Sequence, residues 1–195
     1  MPSKTLQDLN LISAIRKKYE ALIFQGVETA KEVGIEIPNT FYIAIMCNES
    51  RGDKYATKTE IGYRDAILRN PKCPSPDKLL NAYCSHSLFQ IMGIHSSDYA
   101  FLDKLYTPSG KLLIKCGTLS FAINEIYDKP VLAFTKFIID NCRTYLDKKD
   151  YEIVGRIYNG GFPEANFPIT QQYVKNLAYY MNLARQSYKD NPAIQ

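Results

Sequence analysis

Glu49 is the residue whose type and position point most directly to chemistry. It follows the run FYIAIMCN, which is apolar on almost every side of a helix and is therefore predicted to be buried. A carboxyl at the C-terminal end of such a helix meets a low dielectric and the negative end of the helix dipole, and both favour its protonated form. A protonated carboxyl can donate a proton to a leaving oxygen, as glycosidic bond cleavage requires. The competing interpretation is an exposed glutamate paired with Arg51 or Lys54.

Two further segments have compositions that suit ligand binding. The run from Ser85 to Met92, SHSLFQIM, places the polar Gln90 inside an apolar stretch, where it is either a buried structural amide or a group aimed at a ligand. Tyr158, Asn159 and Gly160 belong to the sequence YNGG. This sequence predicts a turn, because glycine adopts a positive φ readily and asparagine tolerates one. That turn is either a plain helix end or a device that brings Tyr158 beside a substrate.

The order of these pieces resembles the SLT-type lytic transglycosylase and goose-type lysozyme superfamily. The matching pieces are Glu49-Ser50, Ser85 to Met92, Tyr158 to Gly161, and Tyr173-Val174, within about residues 40–180. The segment ATKTEIGY, residues 56–63, is similar to a segment of a phage-type muramidase branch. The resemblance implies a lysozyme-like fold and cleavage of the β-1,4 bond between N-acetylmuramic acid and N-acetylglucosamine.

The resemblance also implies a site in which Glu49 is the catalytic acid. The residues that it assigns to substrate binding are Ser50, Ser87, Gln90, Met92, Tyr158, Asn159, Gly160 and Tyr173. Two positions depart from the family pattern. Ser87 stands where the family has glycine, so a positive φ there would be strained, and Lys58 stands where many transglycosylases have serine.

Hydrolysis and lytic transglycosylation both begin with protonation of the leaving oxygen, and the presence of a second carboxylate distinguishes them. An inverting hydrolase needs a carboxylate base roughly 6.5–9.5 Å from the acid, whereas a lytic transglycosylase uses the 6-hydroxyl of the muramic ring and forms a 1,6-anhydro product. Glu60 is the leading candidate, because it lies in the irregular segment after the acid and matches a glutamate of the phage-type branch. The fallback candidates are Asp53, Asp65 and Asp77. The presence of Glu60 favours a hydrolytic muramidase slightly over a transglycosylase.

The elements that must position these residues are mainly helical. Apolar spacing predicts helices over residues 5–33, with a stop at Gly34, and over residues 112–127, 131–142, 151–158 and 170–187. One face of the last helix carries Tyr173, Val174, Leu177, Tyr180, Met181 and Ala184. The buried helix before Glu49 is expected to have Asn39 or Thr40 as its N-cap and to end before Gly52. Three prolines between residues 71 and 76 predict loops, short helical turns or a small hairpin over residues 53–84. We therefore expect one mainly-α, lysozyme-like α+β domain over residues 1–195, with an N-terminal helical element at 1–38 and a catalytic core at 39–188.

The composition of the chain indicates which classes of partner and cofactor it can be expected to bind. The net charge of +4 comes from scattered lysines and arginines, which suits anionic wall polymers but lacks the dense basic stripe of a nucleic-acid-binding protein. The sequence contains no apolar run of about 18 residues, so no membrane span is predicted. The carboxyl chemistry needs no cofactor, and none is predicted. Cys84, His86 and His95 match no standard zinc spacing, so no metal site is predicted. Five dispersed cysteines argue against a disulfide framework.

The N-terminal sequence and the rival functions leave the biological setting open. No Sec signal peptide is recognisable in MPSKTLQDLN, so we expect delivery to the wall by a holin, a virion or a secretion system, as for a phage endolysin. A non-catalytic peptidoglycan-binding module would keep the fold without the reaction. A purely helical interaction protein would leave Glu49 exposed. The oligomeric state is not predicted.

Overall fold

Seven α-helices and five short strands make up the part of the chain that the computed structural model describes, residues 3–73 and 76–190. The helices are α1 (Lys4–Glu32), α2 (Asn39–Glu49), α3 (Ile61–Leu68), α4 (Ile123–Asp128), α5 (Pro130–Asp147), α6 (Tyr151–Gly160) and α7 (Pro168–Asp190). The strands are β1 (Thr57–Thr59), β2 (Cys84–His86), β3 (Ile91–Met92), β4 (Lys104–Tyr106) and β5 (Leu112–Lys115). The predicted mainly helical class is confirmed. The chain divides into a first unit, residues 1–52 and 134–195, and a second unit, residues 53–133.

Helix α1 begins and ends where local capping chemistry places its ends. The Ser3 hydroxyl accepts a hydrogen bond from the Leu6 amide at 3.3 Å, which satisfies one of the N–H groups that the first turn leaves open. At the other end Gly34 adopts a φ of +79°, a conformation that costs glycine little. The predicted helix over residues 5–33 and its stop at Gly34 are confirmed.

Helix α2 is buried around its whole circumference, as its apolar sequence predicts. Every residue from Thr40 to Cys47 is buried, and the helix packs against α1 and α7. The Tyr42 hydroxyl and the Thr135 hydroxyl hydrogen-bond at 2.9 Å, so this buried polar group is satisfied. The predicted N-cap at Asn39 or Thr40 is wrong, because the helix starts one residue earlier and Pro38 occupies the cap position without a side-chain bond.

Helices α6 and α7 meet where a glycine allows close approach. A Cβ added to Gly155 would lie 2.8 Å from Leu177 Cδ2, so the missing side chain lets the two helices pack closely. Helix α6 ends at Gly160, two residues beyond the predicted end, because Gly161 takes the left-handed cap conformation at a φ of +83°. The predicted face of α7 is buried at Tyr173, Leu177, Tyr180, Met181 and Ala184, and partly buried at Val174.

The second unit combines a three-stranded antiparallel sheet with a small core of its own. Strands β1, β2 and β3 are adjacent in that order, with Lys58 opposite Ser85 and Ser85 opposite Met92. The buried core includes Ile67, Leu79, Ala82, Ile94, Leu102 and Leu105. A short helical turn at Pro76–Tyr83 agrees with the prediction for residues 53–84, but the hairpin lies just beyond them, between β2 and β3. The regular helix α3, which precedes the prolines, was not predicted.

The prediction of a helix over residues 112–127 is wrong in its first half. Leu112–Lys115 forms strand β5 and pairs antiparallel with β4, while α4 occupies only Ile123–Asp128. Pairing with a neighbouring strand decides the conformation of a short apolar run that has no clear period of its own. Beyond β5, a Cβ on Gly117 would lie 2.2 Å from Ala100 Cα, so the backbone there passes too close to Ala100 for a larger residue.

We expect the free energy of unfolding to fall as the pH is lowered from about 6.5 to about 4. Burial lowers the pKa of His86 and lowers the pKa of His95 to about 4, against an ordinary value of 6.5. The unfolded chain therefore takes up protons in this window that the folded chain does not, and stability is lost as the pH falls. Denaturant unfolding of wild type and His95→Gln at several pH values measures the effect. The variant should show the flatter pH dependence, and identical curves would contradict the assignment.

Three general features of the chain bear on what it can bind. Within the described residues, no helix combines the length and apolarity needed to cross a membrane. All five cysteines are free, and burial raises the pKa of Cys47 and of Cys142 to about 12, so both remain thiols. Across residues 3–73 and 76–190, no group of three or more His, Cys, Asp or Glu side chains is arranged to hold a metal ion.

Candidate functional site

Glu49 is the last residue of α2, at the end of a helix that is otherwise buried, and its side chain is partly buried. The following residue, Ser50, is the C-cap, and its hydroxyl accepts a hydrogen bond from the Gly52 amide at 3.2 Å. Before Glu49, the Asn48 side-chain amide donates to the Tyr173 carbonyl at 3.3 Å. The position of the Glu49 backbone is therefore set by the turn that follows it and by α7.

The Tyr173 hydroxyl is one of two phenols that interact with Glu49. Burial raises the pKa of Tyr173 well above its ordinary value, and the negative charge of Glu49 raises it further. The hydroxyl is buried and has no hydrogen-bond partner of standard geometry among the described residues, so it approaches the carboxyl without completing a standard bond. Buried hydroxyls without a partner are rare in folded proteins, and this one leaves a donor available beside the candidate acid.

Tyr158, on α6, is the second phenol. Its ring is packed edge-to-face by Phe134 and Phe137, whose ring centroids lie 5.4 and 5.9 Å away. Part of the side chain stays accessible, yet desolvation raises the pKa of its hydroxyl well above the ordinary value, and the charge of Glu49 raises it further. Both phenols therefore stay protonated at neutral pH and can donate hydrogen bonds to a carboxylate.

Asn159 and Gly160 are the last two residues of α6. Gly160 is required by packing, since a Cβ there would lie 2.4 Å from Ala165 Cβ. Asn159 is exposed, so its side-chain amide can reach a ligand. Of these two predicted residues, Asn159 can therefore contact a ligand directly, whereas Gly160 shapes the turn.

Two of the three predicted binding residues of the second unit, Ser87 and Gln90, lie in a tight turn between β2 and β3. Ser87 and Gln90 adopt positive φ angles of +67° and +51°, so the strain expected for a serine at this position is present. The Gln90 side-chain amide donates to the Ala56 and Ser87 carbonyls, each at 2.9 Å, and these bonds hold the turn. Gln90 thus has a structural role through its NH₂ group, and its Oε1 is the atom left for a ligand. Met92 is partly buried against the core of the unit.

Glu60 lies in the second unit, immediately before α3. Its Oε1 is 2.8 Å from Lys58 Nζ and accepts a longer hydrogen bond, 3.4 Å, from the Ser85 hydroxyl. The side chain is 27% exposed, so water can reach it. A carboxylate that water can reach can accept a proton from that water, which is the role of a general base.

Of the three fallback carboxylates, Asp53 and Asp65 lie at exposed positions. Asp53 accepts a hydrogen bond from the Tyr55 amide at 2.9 Å, which is a local turn contact. Asp65 is exposed on α3. The side chain of Asp77 lies outside the described residues. Glu60 therefore remains the first candidate for a second carboxylate.

Comparisons with known proteins found no match for this chain. No family model matches it, and neither does any curated protein or solved structure. The roles of Glu49 and Glu60 are therefore proposed from their contacts, burial and charge, together with the motif resemblance.

A buried carboxylate that the sequence motifs do not include lies next to the segment that follows α2. Asp8 of α1 is 2% exposed and accepts hydrogen bonds from the Tyr179 and Tyr180 hydroxyls, at 3.2 and 3.4 Å. The Arg51 guanidinium lies 3.8 Å from the same carboxylate, and Arg51 has a φ of +53°. This pair helps to hold the left-handed turn after α2. Asp8 lies on the apolar face of α1, four residues before Ile12. A charged residue at such a position is the sequence signal for a buried carboxylate.

Proposed function

We propose that this chain cleaves the glycan strands of bacterial peptidoglycan, with Glu49 as the general acid. The observation that carries the proposal is the surroundings of Glu49, because its carboxyl ends a buried helix and interacts with two protonated phenols, Tyr158 and Tyr173. The resemblance to the SLT-type transglycosylase and goose-type lysozyme superfamily supports peptidoglycan as the substrate. No cofactor is needed, since carboxyl groups and water, or the hydroxyl of the substrate, supply the chemistry.

The proposed reaction begins with a proton transfer. Glu49 protonates the glycosidic oxygen, the bond from that oxygen to C1 of the muramic ring breaks, and the ring takes oxocarbenium character. Glu49 becomes a carboxylate, and the phenols of Tyr158 and Tyr173 donate hydrogen bonds to the charge that develops on it. Because these bonds strengthen as the charge appears, they stabilise the transition state more than the ground state.

Replacing Tyr173 with phenylalanine should lower kcat about 10–100-fold, with a smaller change in KM, because a single hydrogen bond to a charged group contributes about 1.5–3 kcal/mol. The ring stays in place, and the hydroxyl lost has no standard partner in the folded protein, so stability should change little. Steady-state kinetics on soluble glycan fragments measures the effect. Tyr145→Phe, on the partly buried face of α5, is the matched control. Equal kcat values for the two variants would contradict a role for the Tyr173 hydroxyl.

We propose hydrolysis, with Glu60 as the base that activates water, as the first form of the reaction. The support is that water can reach the Glu60 side chain, and that contacts with Lys58 and the Ser85 hydroxyl position its Oε1. Lytic transglycosylation is the second form, in which the muramic 6-hydroxyl attacks and Glu60 has no role. The two forms differ in the products, because hydrolysis leaves reducing muramic ends and transglycosylation leaves 1,6-anhydro ends.

The Glu60→Gln variant should release reducing ends at least about 10²-fold more slowly than wild type, because a general base contributes about 10²–10⁴-fold. Asp53→Asn, an exposed carboxylate of the same unit, is the matched control and should retain the wild-type rate. A reducing-end assay together with mass spectrometry of the products measures both quantities. An unchanged rate in Glu60→Gln, together with 1,6-anhydro products, would favour lytic transglycosylation over hydrolysis.

Solubilisation of purified peptidoglycan by the wild-type protein is the direct test of the proposed function. Walls with several peptide-stem chemistries should be used, because the residues do not specify the stem. Release of soluble glycan fragments would support the enzyme, whereas binding without release would favour a non-catalytic peptidoglycan-binding module. The setting that we propose is delivery to the wall by a holin, a virion or a secretion system.

A further inference from the structure

A groove with a basic rim lies in the second unit and contains none of the residues assigned to catalysis. Its volume is about 360 Å³, within the range of small-molecule sites, and it is lined by the end of α3, the loop that follows and the region of β4. Ala66, Leu102 and Leu105 are 5%, 1% and 1% exposed and form an apolar floor. The groove can therefore hold the carbon skeleton of a small ligand.

Three cationic side chains surround this floor. Arg69, Lys72 and Lys104 line the groove, and none of them forms an ion pair with another described residue. Asp103 is the one acidic residue among those that line it, so three positive charges face one negative charge. Such an excess of unpaired cations favours an anionic ligand.

The two walls of the groove are joined by Asn70. Its side-chain amide donates to the Leu102 and Lys104 carbonyls at 3.1 and 3.0 Å, and its Oδ1 accepts from the Lys72 amide at 2.8 Å. All three hydrogen bonds link residues that line the groove, so the spacing of the cations does not depend on side-chain packing alone. The site is thus partly preorganised, which lowers the entropic cost of binding.

Backbone strain is located in the same wall. Asp103 has a φ of +61° and a ψ of −71°, the rare and strained geometry of a classic γ-turn. The strained residue is held by its amide, which donates to the Ala100 carbonyl at 3.2 Å, and by its carbonyl, which accepts from the Cys116 amide at 2.7 Å. Strain that a fold maintains in this way is concentrated at functional sites.

We infer that this groove binds an oxyanion, a carboxylate or a phosphate, carried on a small carbon skeleton. Arg69 matches both groups, because the planar guanidinium can donate two parallel hydrogen bonds to either. Lys72 and Lys104 add point charges, and the apolar floor accepts the skeleton. The inference goes beyond the proposed glycan cleavage and does not require it.

Titration of the ¹⁵N-labelled full-length chain with glycerol 3-phosphate and, separately, with N-acetylglutamate tests the inference and distinguishes phosphate from carboxylate. At least one probe should produce saturable amide shifts in residues 69–72 and 102–107, and neutral glycerol should produce none. The Arg69→Gln/Lys104→Gln variant should bind at least about 10-fold more weakly, because two charge-assisted contacts are lost. The matched control Arg64→Gln/Lys111→Gln removes the same charge from exposed positions outside the groove and should retain the affinity within about 2-fold.

Absence of saturable shifts with both probes would overturn the inference, and so would an equal loss of affinity in the control variant. The single variant Lys72→Gln should also weaken binding, which provides a second test if the double variant is unstable. Because the readout is binding to the second unit, a negative result would leave the proposal for Glu49 intact. Equally, a failure to detect glycan cleavage would leave the expected result of the titration unchanged.

Discussion

The Glu49→Gln variant is expected to release soluble glycan fragments from peptidoglycan about 10²–10⁴-fold more slowly than wild type. Glutamine keeps the size and shape of the side chain and its polar contacts, but it has no carboxyl proton to donate. Without that proton the leaving oxygen must depart as an alkoxide, and the phenols of Tyr158 and Tyr173 have no developing carboxylate to stabilise.

Two measurements separate a chemical loss from a structural one. Glu32→Gln removes a carboxyl from the exposed end of α1, in the same unit as Glu49, and should retain the wild-type rate. The melting temperature of Glu49→Gln should stay close to that of wild type, because the residue is only partly buried at a helix end. Wild-type activity in Glu49→Gln would rule out the acid role.

The Gly93→Ala variant is expected to lose about 3 kcal/mol of unfolding free energy. A Cβ at position 93 would lie 1.9 Å from the Asn81 carbonyl oxygen and 2.9 Å from its carbon. Both atoms belong to the backbone, so relief requires movement of the chain rather than of a flexible side chain. The same carbonyl oxygen accepts a hydrogen bond from His86 Nε2 at 2.9 Å, so the shift would also break this bond.

The His86 bond adds to the cost because it is part of a buried chain of hydrogen bonds. Since Nε2 donates to the Asn81 carbonyl, Nδ1 must accept from the Tyr127 hydroxyl, 2.9 Å away, in the neutral ring. Moving Asn81 leaves the Nε2 proton of a histidine that is 2% exposed without its acceptor. An unsatisfied buried donor costs about 1–3 kcal/mol.

Two other glycines of the second unit provide controls for Gly93→Ala. Gly62 lies in α3 with no atom within 4 Å of an added Cβ, so Gly62→Ala should stabilise the protein by about 0.5–1 kcal/mol. Gly110 also has open space but a φ of +80°, so Gly110→Ala should cost about 1 kcal/mol from backbone strain alone. Denaturant unfolding of the three variants ranks them, and a Gly93→Ala loss no larger than that of Gly110→Ala would contradict the steric explanation.

The long helices and their buried faces are predictable from the sequence because each has a strong local pattern. Helix α2 is apolar on all sides and is buried, and the inner face of α7 is found at its predicted spacing. The prediction of a helix at strand β5 is wrong because the four residues of the strand carry no period. Their conformation depends on pairing with β4, a segment that the local sequence does not specify. The close contacts at Gly93 and Gly117 are likewise invisible in sequence, because they depend on which backbone segment lies opposite.

The candidate site is predictable only in part. The sequence indicates Glu49 through its position at the end of an apolar helix, and the motif resemblance names Tyr158 and Tyr173 as binding residues. The structure adds that both phenols interact with Glu49. Gln90 illustrates the difficulty, because its amide holds the turn through Ala56, a residue 34 positions earlier in the chain. Asp8 and Arg51 form their contact between α1 and the turn after α2, and no local pattern specifies such a pairing.

Mass spectrometry of the fragments that the wild-type protein releases from purified peptidoglycan decides whether this chain cuts glycan strands. We expect soluble muropeptides cut between muramic acid and glucosamine, with reducing muramic ends if water is the nucleophile and 1,6-anhydro ends if the muramic hydroxyl is. Glycan strands that stay intact across several wall chemistries, or fragments cut only in their peptide stems, would rule out the proposed glycan cleavage.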